Sequence, residues 1–307
     1  MFSLEGRAAP GLYLMAWLLC GAGIALAFIG ISAVPGARIP FLLAGLLCLT
    51  SGLASAAGYQ VLARSGRDSE AYRGPSPVLA FALAAIIGLL LNGLLLGQLA
   101  LFDPAAPAGL LVGLLGVALG YVATIVLLVV RTGALRWSEM GWPSGQARLA
   151  RLSRDALFGA VVTVPAVLPV LLLAGLLATL LGVAPTDRIP LIATRLDALL
   201  VVAAFAVVAP VGEELFFRGF AQSAWQRDLG PRGALIRGAF FFAIVHILNQ
   251  TGTTFAQAAG GALLQFAVIL PLGFILGWAF QRHGIAASIA GHVAYNGTLL
   301  LLAAMAR

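Results

Sequence analysis

The sequence has no lysine, only two cysteines and three histidines, and charged side chains make up 9% of its 307 residues. So few charges exclude an ordinary soluble domain, in which about a quarter of the residues are charged. Cys20 and Cys48 both lie in apolar runs, which excludes a disulfide framework. Since no loop combines dense basic charge with aromatic residues, we expect no nucleic-acid partner.

The residues that are abundant are apolar: hydrophobic residues make up 61% of the chain, and the mean hydropathy is +1.03. A helix needs about 20 apolar residues to cross a bilayer. Uncharged runs of suitable length occupy 11–34, 40–57, 77–102, 109–130, 156–183, 258–280 and 285–305. A further run at 198–211 is shorter and is predicted to continue through Phe217. A run at 238–248 is too short to cross unaided, so it either extends back to Ala234 or stops in a polar cavity formed by the residues that follow it. The sequence predicts an all-α, polytopic membrane helix bundle of about 8–9 transmembrane helices embedded in a lipid bilayer.

All 18 basic residues are arginine, and they gather in alternate loops. Arg64, Arg67 and Arg73 share one loop, and the loop between 131 and 154 holds five more arginines. Because arginines concentrate in cytoplasmic loops, this pattern predicts a cytoplasmic N-terminus. We expect a multi-pass protein of a bacterial cytoplasmic membrane. The sequence does not predict its oligomeric state.

The chain is predicted to divide near residue 155. Residues 1–155 would supply accessory transmembrane helices and a cytoplasmic interfacial helix at 143–156, capped by Ser144. Residues 156–307 would form the catalytic membrane core.

The stretch GEELFFRG at 212–219 concentrates charge in an apolar context, where a charge persists mainly if a partner or a function holds it. Glu214 and Arg218 are four residues apart, so they can pair on one helix face. Glu213 is rotated about 100° away and stays unpaired. An unpaired carboxylate suits a general base that takes a proton from water. The alternative is a helix-end ion pair without chemistry.

Two later segments bring further polar groups to a similar depth. His246 lies about 13 Å along a helix from the basic loop at Arg237, and His292 about 15 Å from Arg282. Asn296 is one turn beyond His292, so the two could donate hydrogen bonds to an oxyanion. The alternative is a polar contact between helices. The remaining histidine, His283, is predicted to be solvated.

A metal centre formed by the same residues is the alternative to a site that uses side chains alone. Glu213, His246 and His292 would form a set of two histidines and one carboxylate, which suits Zn²⁺ with an open position for water. The spacing does not choose between a metal-bound water and one held by Glu213 and His246 alone.

At these residues the chain resembles the CPBP family of intramembrane proteases, which includes type II CAAX prenyl endopeptidases and bacterial Abi and bacteriocin-immunity proteins. The family motifs EExxxR, FxxxH and HxxxN stand here as Glu213-Glu214-x-x-x-Arg218, Phe242-x-x-x-His246 and His292-x-x-x-Asn296. The resemblance covers 195–300 and implies a CAAX-protease-like core.

The resemblance also implies roles for these residues. Glu213 and His246 would activate water, His292 and Asn296 would form the oxyanion hole, and Glu214 with Arg218 would brace the first motif. Family members have been described both as zinc metalloproteases and as metal-free glutamate proteases. We therefore expect an endopeptidase that acts on a membrane-associated protein or peptide from the cytoplasmic side. The alternative is a non-catalytic immunity or scaffold protein, or an ion-coupled transporter that uses the same polar cluster.

Overall fold

The computed structural model describes residues 8–143, 148–183, 190–248 and 254–305. Within those ranges all regular structure is helical, without a strand. In the described part of the chain, eight continuous helical stretches are long and apolar enough to cross a membrane. The predicted all-α, polytopic helix bundle is confirmed, and the chain is a multi-pass membrane protein.

The helices divide into two compact units. The first comprises Met1–Arg136 and Pro190–Ala204, and the second comprises Trp137–Ile189 and Phe205–Arg307. The first unit contains α1 (Pro10–Ser32), α2 (Pro35–Ala63), α3 (Pro77–Asn92), α4 (Pro107–Ile125) and α7 (Arg195–Val202). The second contains α5 (Arg148–Thr163), α6 (Val167–Leu181), α8 (Ala209–Glu214), α9 (Ser223–Ile247), α10 (Phe255–His283) and α11 (Ile285–Met305).

In the first unit, local sequence signals explain where helices begin. α3 and α4 each start at a proline, whose missing N–H is not needed in the first turn. α7 starts with a capping box: the Thr194 hydroxyl accepts from the Asp197 N–H at 3.1 Å, and the Asp197 carboxylate accepts from the Thr194 N–H at 2.9 Å. These signals place the start of α7 just before the segment that leads into GEELFFRG.

The start of the second unit differs from the predicted boundary. α5 runs without interruption from Arg148 to Thr163, and a 3₁₀ turn at Val164–Ala166 joins it to α6. The helix predicted at 143–156 thus does not end at residue 156, because it continues into the apolar run as far as Thr163. The predicted cap Ser144 lies outside the described residues. The division into accessory and catalytic parts stays a prediction.

α9 is broken near its middle. Gly230 has φ 71° and ψ 174°, a backbone conformation that glycine reaches readily, and Pro231 follows it. The arm after the break reaches from Pro231 to Ile247. The helix that contains the apolar run at 238–248 therefore begins before Ala234. The arm is about 25 Å long, and it carries the second motif.

Close backbone contacts set the position of α11, the helix of the third motif. Gly284 has φ 75° and turns the chain between α10 and α11, and the Ile285 N–H then donates to the Gly141 carbonyl at 3.1 Å. α11 packs directly on α5, because a Cβ atom at Gly159 would overlap the Ala287 carbonyl oxygen. This contact fixes the height at which α11 presents its polar side chains.

Candidate active site

Segments of the second unit carry every predicted site residue. α8 and the π-helical segment Leu215–Gln222 that follows it hold the first motif, the second arm of α9 holds the second motif, and α11 holds the third. The side chains in question are those of Glu213, Glu214, Arg218, His246, His292 and Asn296. The three segments are separate in sequence, so any meeting of these groups is a property of the fold.

The three motifs meet at the carboxylate of Glu213. Its Oε2 atom lies 3.8 Å from Nε2 of His246 and 3.9 Å from Nε2 of His292. The side chains of Glu213 and His246 retain 22% and 18% of their exposure, whereas that of His292 retains 5%. The structure brings the three segments together at Glu213, and Glu213 and His246 are the more accessible members of the group.

Glu214 is turned away from this meeting point and is fully buried. Its Oε1 atom lies 3.1 Å from Nη1 of Arg218, as the spacing of four residues predicts, and 2.9 Å from Nδ1 of His292. The Arg218 side chain is only 2% exposed. A buried charge is tolerated where a partner neutralises it, so the pair accounts for both ions in this apolar environment.

The hydrogen bonds of the two imidazoles define where their lone pairs point. Nδ1 of His246 lies 2.6 Å from the Phe242 carbonyl, which can only accept, so Nδ1 carries the hydrogen. Nδ1 of His292 faces the Glu214 carboxylate, which is an acceptor beside the Arg218 guanidinium. In the neutral rings both Nε2 atoms are therefore acceptors. Two nitrogen lone pairs and a carboxylate oxygen converge, so the site suits a water molecule, a proton or a cation.

Two imidazoles and a carboxylate are a common ligand set for a zinc ion. Zinc-binding imidazoles usually donate their second N–H to a carbonyl or carboxylate, as His246 and His292 do. As arranged, however, the described residues contain no group of three His, Cys, Asp or Glu side chains that could hold a metal. The chemistry of Glu213, His246 and His292 suits zinc, but their present arrangement does not form a metal-binding group.

Phe242 forms an apolar wall behind the polar groups. Its ring is fully buried and lies 4.4 Å from the His246 ring and 5.9 Å from the His292 ring, between centroids. The Arg218 guanidinium carbon lies 4.1 Å from the Phe242 centroid, which is a cation–π contact. One aromatic ring thus touches a member of each motif and restricts how all three can shift.

The first motif is also fastened to α10, which sequence reasoning did not predict. Nη2 of Arg218 lies 3.4 Å from the Gly273 carbonyl, and Nε2 of Gln222 donates to the Gly277 carbonyl at 2.9 Å. Gln222 is only 1% exposed. Its spacing of four residues from Arg218 is a signal that could have identified it, because Glu214, Arg218 and Gln222 share one helix face.

Asn296 has a partner that the sequence did not predict. Its Nδ2 atom donates to the backbone carbonyl of Phe205 at 2.9 Å. An amide nitrogen carries two hydrogens, so this bond leaves one of them for another acceptor. Asn296 therefore links α11 to the segment that leads into α8.

The prediction that His283 is solvated is wrong. Its Nδ1 atom lies 3.1 Å from Oδ1 of Asp155, and its ring stacks on Phe158 with the centroids 3.8 Å apart. These contacts tie the C-terminal end of α10 to α5. No local sequence signal marks Asp155 as the partner, because the two residues are 128 positions apart.

The helices and the site define a multi-pass membrane protein in which acidic, basic and imidazole groups are assembled among spanning helices. Residues 195–298 match the family model described as type II CAAX prenyl endopeptidase Rce1-like. The match contains all three motifs and supports the predicted resemblance of this segment to the CAAX-type intramembrane proteases. Comparison with curated proteins and with solved structures gave no match.

Proposed function

We propose that the chain is an intramembrane endopeptidase that hydrolyses peptide bonds of a membrane-associated protein or peptide at a site facing the cytoplasm. The observation that carries this proposal is the position of Glu213 Oε2 within 3.8 Å and 3.9 Å of two imidazole nitrogens. A carboxylate beside two nitrogen lone pairs provides acceptors for both hydrogens of one water molecule. The family match over the same residues supports this interpretation.

The first step is activation of water by Glu213 and His246. Two acceptors 3.8 Å apart can each receive a hydrogen bond of ordinary length from the same water molecule. That water then directs an oxygen lone pair away from both groups and toward a substrate carbonyl. Glu213 accepts the proton as the oxygen–carbon bond forms, and it later delivers that proton to the leaving amine.

The second requirement is stabilisation of the oxyanion. Asn296 has one amide hydrogen beyond the bond to Phe205. His292 donates from Nε2 only in the doubly protonated ring, so this step requires that the ring first takes up one further proton from solvent. Glu214, held by Arg218, receives the other His292 hydrogen and stabilises the charged ring. Donors directed at the developing charge usually contribute the largest share of acyl-transfer catalysis.

The test is Glu213→Gln, which keeps the size of the side chain and removes the base. Cleavage of membrane-anchored fluorogenic peptides by the purified protein in liposomes should fall about 100- to 10,000-fold, the usual contribution of a general base. Glu70→Gln, at an exposed loop position, is the matched control and should cleave at the wild-type rate. Equal rates for Glu213→Gln and wild type would refute this mechanism. Solute flux in proteoliposomes without any peptide cleavage would favour a transporter.

A further inference from the structure

The helix before Glu213 contains a backbone irregularity that ends just before Pro210. The segment Ala203–Val208 is π-helical, so its carbonyls pair with N–H groups five residues later. For the carbonyl of Phe205 that partner would be residue 210, which is proline and has no N–H. The π-helical segment ends there, and α8 begins at Ala209. The Phe205 carbonyl is therefore left without this backbone donor.

Asn296 supplies the missing donor from another helix. Its Nδ2 atom donates to the Phe205 carbonyl at 2.9 Å. A backbone carbonyl without a partner among spanning helices is costly, so the bond has a strong reason to persist. It joins α11 to a point eight residues before Glu213.

We propose that Pro210 is a positioning residue for the site: by withholding an N–H, it reserves the Phe205 carbonyl for Asn296. One amide hydrogen of Asn296 is then held by Phe205, which fixes the direction of the other. The same bond ties Asn296 to the helix that presents Glu213. This inference rests on the proposed function, in which the second hydrogen of Asn296 serves the oxyanion.

Replacing the proline by an ordinary residue tests the inference directly. Pro210→Ala restores an N–H that can pair with Phe205, so Asn296 loses its anchor. The kcat for peptide cleavage should fall about three- to tenfold, the equivalent of one hydrogen bond, with little change in KM. Pro40→Ala, which changes an exposed proline inside α2, is the matched control and should leave both constants unchanged.

A backbone ester separates the missing N–H from the proline ring. Lactic acid incorporated at position 210 has the shape of alanine but carries an oxygen in place of the N–H. We expect it to restore the kcat that Pro210→Ala loses. An ester variant that is as slow as Pro210→Ala, or that fails to fold, would show that the ring matters rather than the absent N–H, and would overturn the proposal.

A stability cycle with Asn296→Ala provides a readout that does not need activity. Removing the amide should lower the apparent melting temperature by about 2–4 °C when Pro210 is present, since the Phe205 carbonyl loses its donor. In the Pro210→Ala background, Asn296→Ala should lower the melting temperature clearly less, because the restored N–H donates to that carbonyl. An equal drop in melting temperature in both backgrounds would refute the coupling between Pro210 and Asn296. If the wild-type protein cleaves no peptide, the proposed function fails, while this cycle still tests the role of Pro210.

Discussion

Glu213 and Glu214 are neighbours in the chain, yet their carboxylates occupy different surroundings. Glu214 is fully buried between Arg218 and His292, while Glu213 keeps 22% of its side-chain exposure and faces two imidazole nitrogens. The rotation of about 100° between successive helical residues produces this division. One carboxylate can therefore hold the site together while the other remains accessible for chemistry.

The buried pair leads to a prediction about stability. Glu214→Gln removes the negative charge and leaves Arg218 buried without its counter-ion. We expect a loss of about 3–5 kcal/mol, the usual cost of breaking a buried ion pair from one side. The measurement is the free energy of unfolding in detergent micelles. The double variant Glu214→Gln with Arg218→Met should recover part of the loss, and a double variant less stable than the single one would contradict this account.

Metal dependence is a second prediction at the level of single side chains. With the mechanism proposed above, protein freed of metal by a strong chelator should keep its cleavage rate, and metal analysis should find less than one equivalent of zinc. Loss of activity on chelation, restored by added Zn²⁺, would instead assign Glu213, His246 and His292 as metal ligands. Their lone pairs already point at a common region.

Individual contacts were predictable from the sequence only where they are local. The Glu214–Arg218 pair follows from a spacing of four residues. The bond from His292 to Glu214 and the bond from Asn296 to Phe205 join residues 78 and 91 positions apart, and periodicity carries no information on such pairs. The sequence predicted that the three motifs lie at a similar depth. It did not predict which of their atoms are in contact.

Among the helices, the contact between α5 and α11 decides where the third motif stands. Gly159 touches the Ala287 carbonyl, and a Cβ atom at Gly291 would lie 2.6 Å from Oγ1 of Thr163. Glycines of this kind let two spanning helices approach at backbone distance. His292 follows Gly291 directly, so any displacement of this contact moves the imidazole.

Gly159→Ala should therefore act on the site from a distance. The new methyl group would overlap the Ala287 carbonyl and push α11 outward, at a cost of about 1–3 kcal/mol typical of overpacking. We expect a lower melting temperature together with a lower kcat. Gly175→Ala in α6 is the matched control, because its methyl group would meet nothing within 4 Å. An unchanged kcat in Gly159→Ala would show that α11 tolerates the displacement.

Helix positions were largely predictable, but irregularities within helices were not. Long apolar runs identify the spans because a bilayer demands about 20 such residues. The break at Gly230 follows a recognisable glycine–proline pair. The π-helical segments at Ala203–Val208 and Leu215–Gln222 have no such signal, since one extra residue per turn depends on packing with neighbouring helices.

For the whole molecule, the concentration of arginine in alternate loops predicts orientation. In a variant without Cys20 and Cys48, cysteines at Ser69 and Ala105 would report the two loops that flank α3, both exposed. Position 105 should react with an impermeant maleimide in intact spheroplasts, and position 69 only in inverted vesicles. The reverse pattern would place the N-terminus outside and remove the support for a cytoplasmic site.

The pairing of Glu214 with Arg218 inside one helical segment has a consequence for biosynthesis. The two ions can neutralise each other as soon as that segment leaves the ribosome, without waiting for any other part of the chain. His292 follows 78 residues later, on α11. In an unfinished chain, Glu214 and Arg218 can thus enter the bilayer as a neutral pair. The proposed chemistry becomes available only once α11 has inserted.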